Sequence, residues 1–388
     1  MTLRLTRLTL TDFRNYRSLV WRPAARISAV FGPNGSGKTN LLEAVSLLVP
    51  GRGLRGARSA EFARRGPDAS GRWGVAGRFA TQAGPMEVGT GSVPDGTADR
   101  RVFRLDGAAP RNQGEIAARV AAVWLTPQMD RLFVEGTSGR RRFLDRLAWA
   151  LEPSHAREVA AHDTAMASRN RLLAEARTDA AWLAGIEDAM ARHGVAATAA
   201  RAGLVARLNA VLEQGAAAPF PAARLALLCP IAERLAAGPA LAVEDWLRET
   251  LAANRARDAA AGSATVGAHR ADMGLADAES GLTAALASTG QQKALLIGLI
   301  LGHAALIAEA RGFAPLLLLD EPCVHLDPER RAALFAALAR LPAQALLTGT
   351  DAETFFPLRG VAEGLRAGGG ELRPDEGFPA VAPVPGAL

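Results

Sequence analysis

Ile27-Ser28-Ala29-Val30-Phe31-Gly32-Pro33-Asn34-Gly35-Ser36-Gly37-Lys38-Thr39-Asn40-Leu41-Leu42-Glu43-Ala44-Val45-Ser46-Leu47-Leu48 sets a short apolar run, a glycine turn and a helix-period run in direct succession. Ile27 to Phe31 suits a buried strand, and the spacing from Asn40 to Leu48 predicts a helix. Between them, Gly32 to Thr39 fits G-x-x-x-x-G-K-[ST] in the strand-loop-helix context that this pattern requires. Glycines let backbone N–H groups turn toward a phosphate with no Cβ in the way. A helix starting near Gly37 aims the positive end of its dipole at the same anion. Lys38 supplies a mobile point charge for β- and γ-phosphates, and the Thr39 hydroxyl suits Mg2+. The candidate ATP-binding residues are therefore Gly32, Pro33, Asn34, Gly35, Ser36, Gly37, Lys38, Thr39 and Asn40.

The basic residues point the same way. Of 45 lysines and arginines only two are lysine, Lys38 and Lys293. An ammonium is compact and a guanidinium fork is not, so both positions are expected to need the lysine itself. That reasoning places Lys293 in the machinery alongside Lys38.

Pro315-Leu316-Leu317-Leu318-Leu319-Asp320-Glu321-Pro322 reads as a buried strand ending in two carboxylates, the pattern of a Walker B element. There Asp320 would hold Mg2+ and Glu321 would orient or deprotonate the attacking water, alongside Lys38 in the catalytic set. Upstream, Ser288-Thr289-Gly290-Gln291-Gln292-Lys293 runs straight into an apolar helix. This segment resembles the signature motif of the ABC ATPases, in which a serine and a glycine at a helix tip grip the γ-phosphate of ATP on the opposite subunit. The resemblance implies that Ser288, Thr289, Gly290, Gln291 and Lys293 act in trans; a plain helix N-cap is the other reading. It also implies a D-loop ending at Asp327, a γ-phosphate switch position at Thr348 and a Q-loop glutamine at Gln128.

The fold class expected is α/β: an ABC-type ATPase head, with a mixed sheet, flanking helices and a small antiparallel sheet, carrying an inserted helical lobe. Four segments follow: 1–136 as the N-terminal part of the ATPase lobe, 137–264 as a helical arm, 265–366 as the C-terminal ATPase part, and 367–388 as a flexible tail. The β-like runs near 73–79, 101–105 and 120–125 are assigned to the antiparallel sheet.

Leu10-Thr11-Asp12-Phe13-Arg14-Asn15-Tyr16 ahead of the phosphate loop, Gly139-Arg140-Arg141-Arg142-Phe143-Leu144-Asp145, and Gly267-Ala268-His269-Arg270-Ala271-Asp272 together resemble the RecF family of bacterial recombination and gap-repair ATPases. The likeness covers about residues 3 to 355. Ala268 and Ala271 depart from that family's proline and first aspartate, and Glu321 stands where many relatives carry aspartate. The 250 or so residues between Lys38 and Ser288 allow helical arms of only about 50–90 Å, short for SMC-type coiled coils. The resemblance implies a homodimer closing on ATP, binding of duplex DNA near single-strand gaps, slow hydrolysis, and loading of RecA with RecO and RecR. Arg140, Arg141, Arg142 and Arg146 are candidates for phosphate-backbone contact, or form a solvated helix face. Tyr16 lies near adenine or has a packing role.

The net charge of +6 fits a polyanionic partner, or simply a composition in which arginine is common. Two cysteines, Cys229 and Cys323, with no paired spacing, argue against a disulfide framework or a zinc cluster and fit a reducing cytoplasm. The apolar run from Ala294 to Ala308 is shorter than a bilayer span and reads as a buried core helix, so no membrane segment is expected. The rival reading is the ATPase subunit of an ABC transporter. A nuclease relative would need more acids after Walker B than Asp351 and Glu353 provide.

Overall fold

The computed structural model describes residues 3–66, 68–93, 101–175 and 179–379. In chain order these form β1 (Arg4–Phe13), β2 (Tyr16–Trp21), β3 (Ile27–Phe31), α1 (Lys38–Ser46), β4 (Gly74–Thr81), β5 (Gly84–Ser92), β6 (Arg101–Leu105), α2 (Gln113–Ala117) and β7 (Ala122–Leu125). There follow α3 (Thr137–Leu151), α4 (His155–Ala174), α5 (Ala180–Glu213), β8 (Ala223–Leu228), α6 (Pro230–Ala237), α7 (Ala240–Ala253), α8 (Arg255–Ala261) and β9 (Asp272–Asp277). The chain ends with α9 (Thr289–Arg311), β10 (Leu316–Leu319), α10 (Pro328–Arg340), β11 (Ala345–Gly349), β12 (Ala362–Gly368) and β13 (Glu371–Pro374). Two compact units result: Met1–Asp130 with Gly215–Ala222 and Ser288–Leu388, and Arg131–Gln214 with Ala223–Ala287.

The first unit holds a six-stranded sheet in the order β13-β12-β3-β11-β10-β7, parallel except for β13. Parallel strands are covered on both faces and so read as unbroken apolar runs. Every residue of β3, β7 and β10 is buried accordingly. A five-stranded antiparallel sheet, β2-β1-β4-β5-β6, alternates instead: Leu5, Leu8, Leu10, Val75, Phe79 and Val88 turn inward. The run at 120–125 therefore belongs elsewhere than expected. As β7 it pairs in parallel with β10, because four consecutive buried residues need cover on both faces.

Helix α9 starts at a capping box, in which Ser288 Oγ accepts from the Gln291 N–H and Gln291 Oε1 accepts from the Ser288 N–H. It ends at left-handed Gly312. Every residue from Gln292 to Ala304 is buried. Both α5 and α9 are long and apolar enough to cross a membrane by length and composition, but α9 is the core helix of this unit.

The expected tail at 367 begins too early. Gly369 and Gly370, at φ 59° and 80°, make the turn that pairs β12 with β13, so the glycines are a hairpin signal here. Phe378 is buried, its ring 5.7 Å from that of Phe31. Residues 380–388 of the expected tail lie outside the described residues.

The second unit packs α4 against α5, with α7 alongside, around Met190, Val195, Val243, Leu247 and Leu251. At its centre the fully buried Arg169 is paired with Glu187 at 2.9 Å and Asp258 at 2.7 Å. The segment expected as a helical arm also contains β8, which pairs antiparallel with β9. That pairing keeps 265–287 in the helical unit and moves the return to the ATPase unit to Ser288. Conversely, 215–222 joins the first unit, where the Pro221 carbonyl lies against Gly298 of α9.

Candidate nucleotide-binding site

The carboxyl ends of β3, β11 and β10 lie side by side, the place where parallel sheets present their ligand-binding loops. The loop after β3 needs glycine at two points for different reasons. Gly32, at φ 151°, passes so near the Ala367 carbonyl that a Cβ would sit 2.5 Å from its oxygen. Gly37, at φ 104°, is the N-cap of α1, and a Cβ there would meet the Asn15 amide at 2.3 Å. No side chain caps α1, so its first N–H groups have no side-chain acceptor and are open to an anion. Lys38, itself buried, donates to the carbonyls of Gly32 (2.7 Å) and Pro33 (3.1 Å). It thus lies folded along the loop it serves.

The loop is braced from behind by residues that sequence reasoning had not assigned this task. Asn15 Nδ2 donates to the Ser36 carbonyl at 3.3 Å, and Asn40 Nδ2 donates to Asn15 Oδ1 at 2.7 Å. Tyr16 is fully buried and its hydroxyl donates to the Gly37 carbonyl at 3.0 Å, so packing is its role; burial also pushes its phenol well above the ordinary range. Arg14 adds a bidentate pair to the buried Glu43 of α1, at 2.8 and 3.0 Å. The family-like segment from Leu10 to Tyr16 carried the signal for this brace, but only as a motif.

Across the sheet ends, three predicted residues meet. Asp320 Oδ1 accepts from Thr39 Oγ1 at 2.9 Å and from Thr348 Oγ1 at 2.7 Å. Thr348 Oγ1 in turn accepts from the Glu321 N–H at 2.9 Å. Glu321 stands at φ 48°, a left-handed conformation rare for a residue with a side chain and typical of over-determined functional positions. Its side chain is partly exposed. Gln128 is exposed on the 3-10 turn Pro127–Arg131.

At the tip of α9, Ser288, Thr289 and Gln291 are exposed. Gly290 lies so close to the next loop that a Cβ would sit 3.1 Å from the His325 carbonyl oxygen. Asp327 accepts from the Arg330 N–H at 2.8 Å and so caps α10, while His325 takes φ 65°. Lys293 departs from expectation. Its ammonium is buried and turned inward, 3.1 Å from the Glu321 carbonyl and 3.4 Å from Asp130, because the first turn of a core helix carries its side chain into the protein. It is not presented to a second subunit.

In the second unit the arginine run is also largely turned inward. Arg140 is held bidentately by Asp272 at 2.7 and 2.8 Å, and Arg141, half-buried, donates to the Ala271 carbonyl at 3.3 Å. Arg146 stacks on the Phe143 ring at 5.0 Å, and burial lowers its guanidinium to about 9. Arg140 and Arg146 are therefore withdrawn as DNA contacts, since desolvation and pairing have already claimed their charge; Arg142 stays exposed. The Gly267 to Asp272 segment is the partner of this run. Arg201 reaches both Asp145, at 2.7 Å, and the Ala268 carbonyl, at 2.7 Å, while burial holds the His269 imidazole neutral, at about 4.

Comparison with known proteins gives this geometry a lineage. The chain is 47% identical over 370 residues to the DNA replication and repair protein RecF of Allorhizobium ampelinum, covering 95% of this chain and 98% of the relative. The chain belongs to the RecF family. The RecF of Mesorhizobium japonicum is 45% identical over 374 residues, covering 96% and 98%. A family model described as "AAA domain, putative AbiEii toxin, Type IV TA system" matches residues 27–92. Among solved structures, the recombination mediator protein RecF of the RecFOR pathway, solved as RecF-ATPrS, shares the fold with a TM-score of 0.81 at 21% identity, over 96% of this chain and 98% of that one. The SMC head domain of Pyrococcus furiosus has a TM-score of 0.53 at 14% identity, over 96% of each chain. The α/β ATPase-head class expected from sequence is thus the one observed. RecF relatives spanning nearly the whole chain do not favour the transporter reading.

Proposed function

We propose that this RecF-family chain is a slow, DNA-stimulated ATPase of gap repair that dimerises on ATP and binds duplex DNA near single-strand junctions. The observation that carries the reading is the division of α9. Its body is buried from Gln292 to Ala304, while its capped tip, Ser288 to Gln291, faces solvent beside the loop that ends at Asp327. A helix N-terminus of this kind is complementary to an anion, and a complete phosphate loop stands in the same unit. In a two-fold dimer each copy offers both halves, so two composite sites form.

Mg2+ fits the donor set. A threonine hydroxyl and a carboxylate oxygen, Thr39 Oγ1 and Asp320 Oδ1, already converge at 2.9 Å, and hard oxygen donors suit that cation. Those two residues would hold it, and its charge would neutralise phosphate oxygens during phosphoryl transfer. Lys38 and the N–H groups of α1 would bind the phosphates, Glu321 would orient water, and Thr348 would fix both carboxylate-bearing residues in place. The solved RecF relatives are described as recombination mediators in the RecFOR pathway. This supports RecO and RecR as partners, RecA as the protein loaded, and the cytoplasm as the location.

With most of the helical run turned inward, the DNA-facing charge is better sought on the antiparallel sheet. Arg7 of β1 and Arg78 of β4 lie directly opposite one another, both exposed, and exposed Arg22 follows Trp21, the partner of Leu8. Like charges facing across strands are unfavourable unless an anion neutralises them. Changing Arg7 and Arg78 to Glu should weaken duplex binding and lower the slope of log affinity against log salt by about 2. An unchanged slope in a fluorescence-anisotropy titration would clear them of contact.

The central test is ATPase activity with and without gapped DNA, together with oligomeric state in ATP. Ser288→Arg should leave ATP affinity within about threefold yet prevent the ATP-dependent dimer, because the long side chain fills the face that receives the partner's phosphate. A normal dimer in light scattering would refute the composite site.

A further inference from the structure

Lys293 sits where charge is costly, 1% exposed in the first turn of the core helix. Its ammonium has two identified partners. It donates to the carbonyl of Glu321 at 3.1 Å and lies 3.4 Å from Asp130 Oδ2. Each partner belongs to a different part of the hydrolytic apparatus. Asp130 lies in the 3-10 turn Pro127–Arg131 that carries Gln128, and its other oxygen, Oδ1, is buried with no hydrogen-bond partner. Lys293 is therefore the anchor of that carboxylate.

Glu321 is the other end of the link. At φ 48° its peptide occupies a conformation that persists only when the surroundings enforce it. The enforcement is visible on both sides of the residue: Thr348 Oγ1 takes its N–H at 2.9 Å, and Lys293 takes its carbonyl. Neither partner binds the carboxylate, so the direction of that side chain is set by the backbone that these two residues hold.

We propose that Lys293 is a positioning residue for hydrolysis, working inside its own subunit: it clamps the left-handed peptide of Glu321 and joins it to the turn that bears Gln128. The proposal rests on the reading of Glu321 as the group that orients the attacking water. It also accounts for the retention of lysine in a chain with only two. A compact ammonium can serve a carbonyl and a carboxylate in a small buried space, whereas a planar guanidinium spreads its donors over a wider fork.

The test uses the full-length chain. Lys293→Met should lower kcat by at least about 30-fold while KM, and the affinity for a non-hydrolysable ATP analogue, stay within about threefold. That split separates positioning from simple loss of structure when the number of nucleotide sites per chain stays at the wild-type value, because an unfolded fraction removes sites and turnover together and leaves the affinity of the folded molecules unchanged. Because Lys293→Met leaves the partly buried Asp130 without its ammonium partner, Asp130→Asn combined with Lys293→Met serves as the folded control, checked by thermal melting. The double variant should show the same fall in kcat with wild-type nucleotide affinity. Lys293→Arg, which keeps the charge, should recover less than about a tenth of wild-type kcat. Wild-type kcat in either methionine variant, or a parallel loss of kcat and nucleotide affinity in the folded double variant, overturns the proposal. Failure of the nucleotide reading itself would look different: the unaltered chain would show no ATPase activity, or Lys38→Ala would retain it, and the clamp would fall with it.

Discussion

Lys38→Ala is expected to lower ATP affinity by about 100- to 1,000-fold. The ammonium sits inside the loop, 2.7 and 3.1 Å from two of its carbonyls, with no acidic partner among its hydrogen bonds. Bonds from a charged donor contribute roughly 1.5–3 kcal/mol each, so losing two such contacts to phosphate oxygens, each near the lower end of that range, costs about 3–4 kcal/mol. At about 1.4 kcal/mol per tenfold, that is two to three orders of magnitude. The fold should survive, because α1 is also held by Tyr16 on the Gly37 carbonyl and by Arg14 on Glu43. Calorimetry with a non-hydrolysable analogue is the direct measurement. Affinity within tenfold of the unaltered chain would reject the assignment of the loop.

Glu321→Gln separates binding from chemistry. The amide keeps the size of the side chain and leaves the backbone contacts to Thr348 and Lys293 intact. What it removes is the carboxylate proposed to orient or deprotonate the attacking water, and groups in that role contribute about 100- to 10,000-fold. Hydrolysis should fall by about that factor, and ATP affinity should change little. If closure depends on bound ATP, this variant should also accumulate as a dimer, since the reaction that reopens it is slowed. Turnover within tenfold of the unaltered chain would remove Glu321 from the chemistry, and a monomer in saturating ATP would sever nucleotide from dimerisation.

The two predictions draw on residues that differed in how openly the sequence announced them. Lys38 was legible at once, because a phosphate loop is a local object: strand, turn and helix are consecutive, and each residue's task follows from its neighbours. Glu321 was legible as a carboxylate after a buried strand, but its left-handed backbone was not, since that conformation is imposed by Thr348 and Lys293, 27 and 28 residues away. Lys293 shows the limit most clearly. Its scarcity marked it as functional, yet the side of the helix it occupies depends on which face of α9 packs inward, and an almost wholly apolar helix gives no periodicity from which to read that face. The arginine run misled for a related reason. Arg140 to Arg142 looked like a basic stripe until Asp272, far along the chain, was found beside Arg140.

Sequence alone determined the parts whose physics is short-range: the strand, glycine turn and helix from Ile27 to Ser46, the buried strand ahead of Asp320, the capped start of α9, and the motif order that placed the chain near its family. The tertiary structure decided everything that depends on partners distant along the chain. It sent the 120–125 strand to the parallel sheet, returned 265–287 to the helical unit through the β8–β9 pairing, and folded the glycine-rich stretch after 367 into a hairpin. It also brought Thr39, Asp320 and Thr348 to one oxygen across separations of 281 and 28 residues. Strand pairing and side-chain burial are set by whichever surfaces meet when the chain closes on itself, and local pattern does not encode that choice.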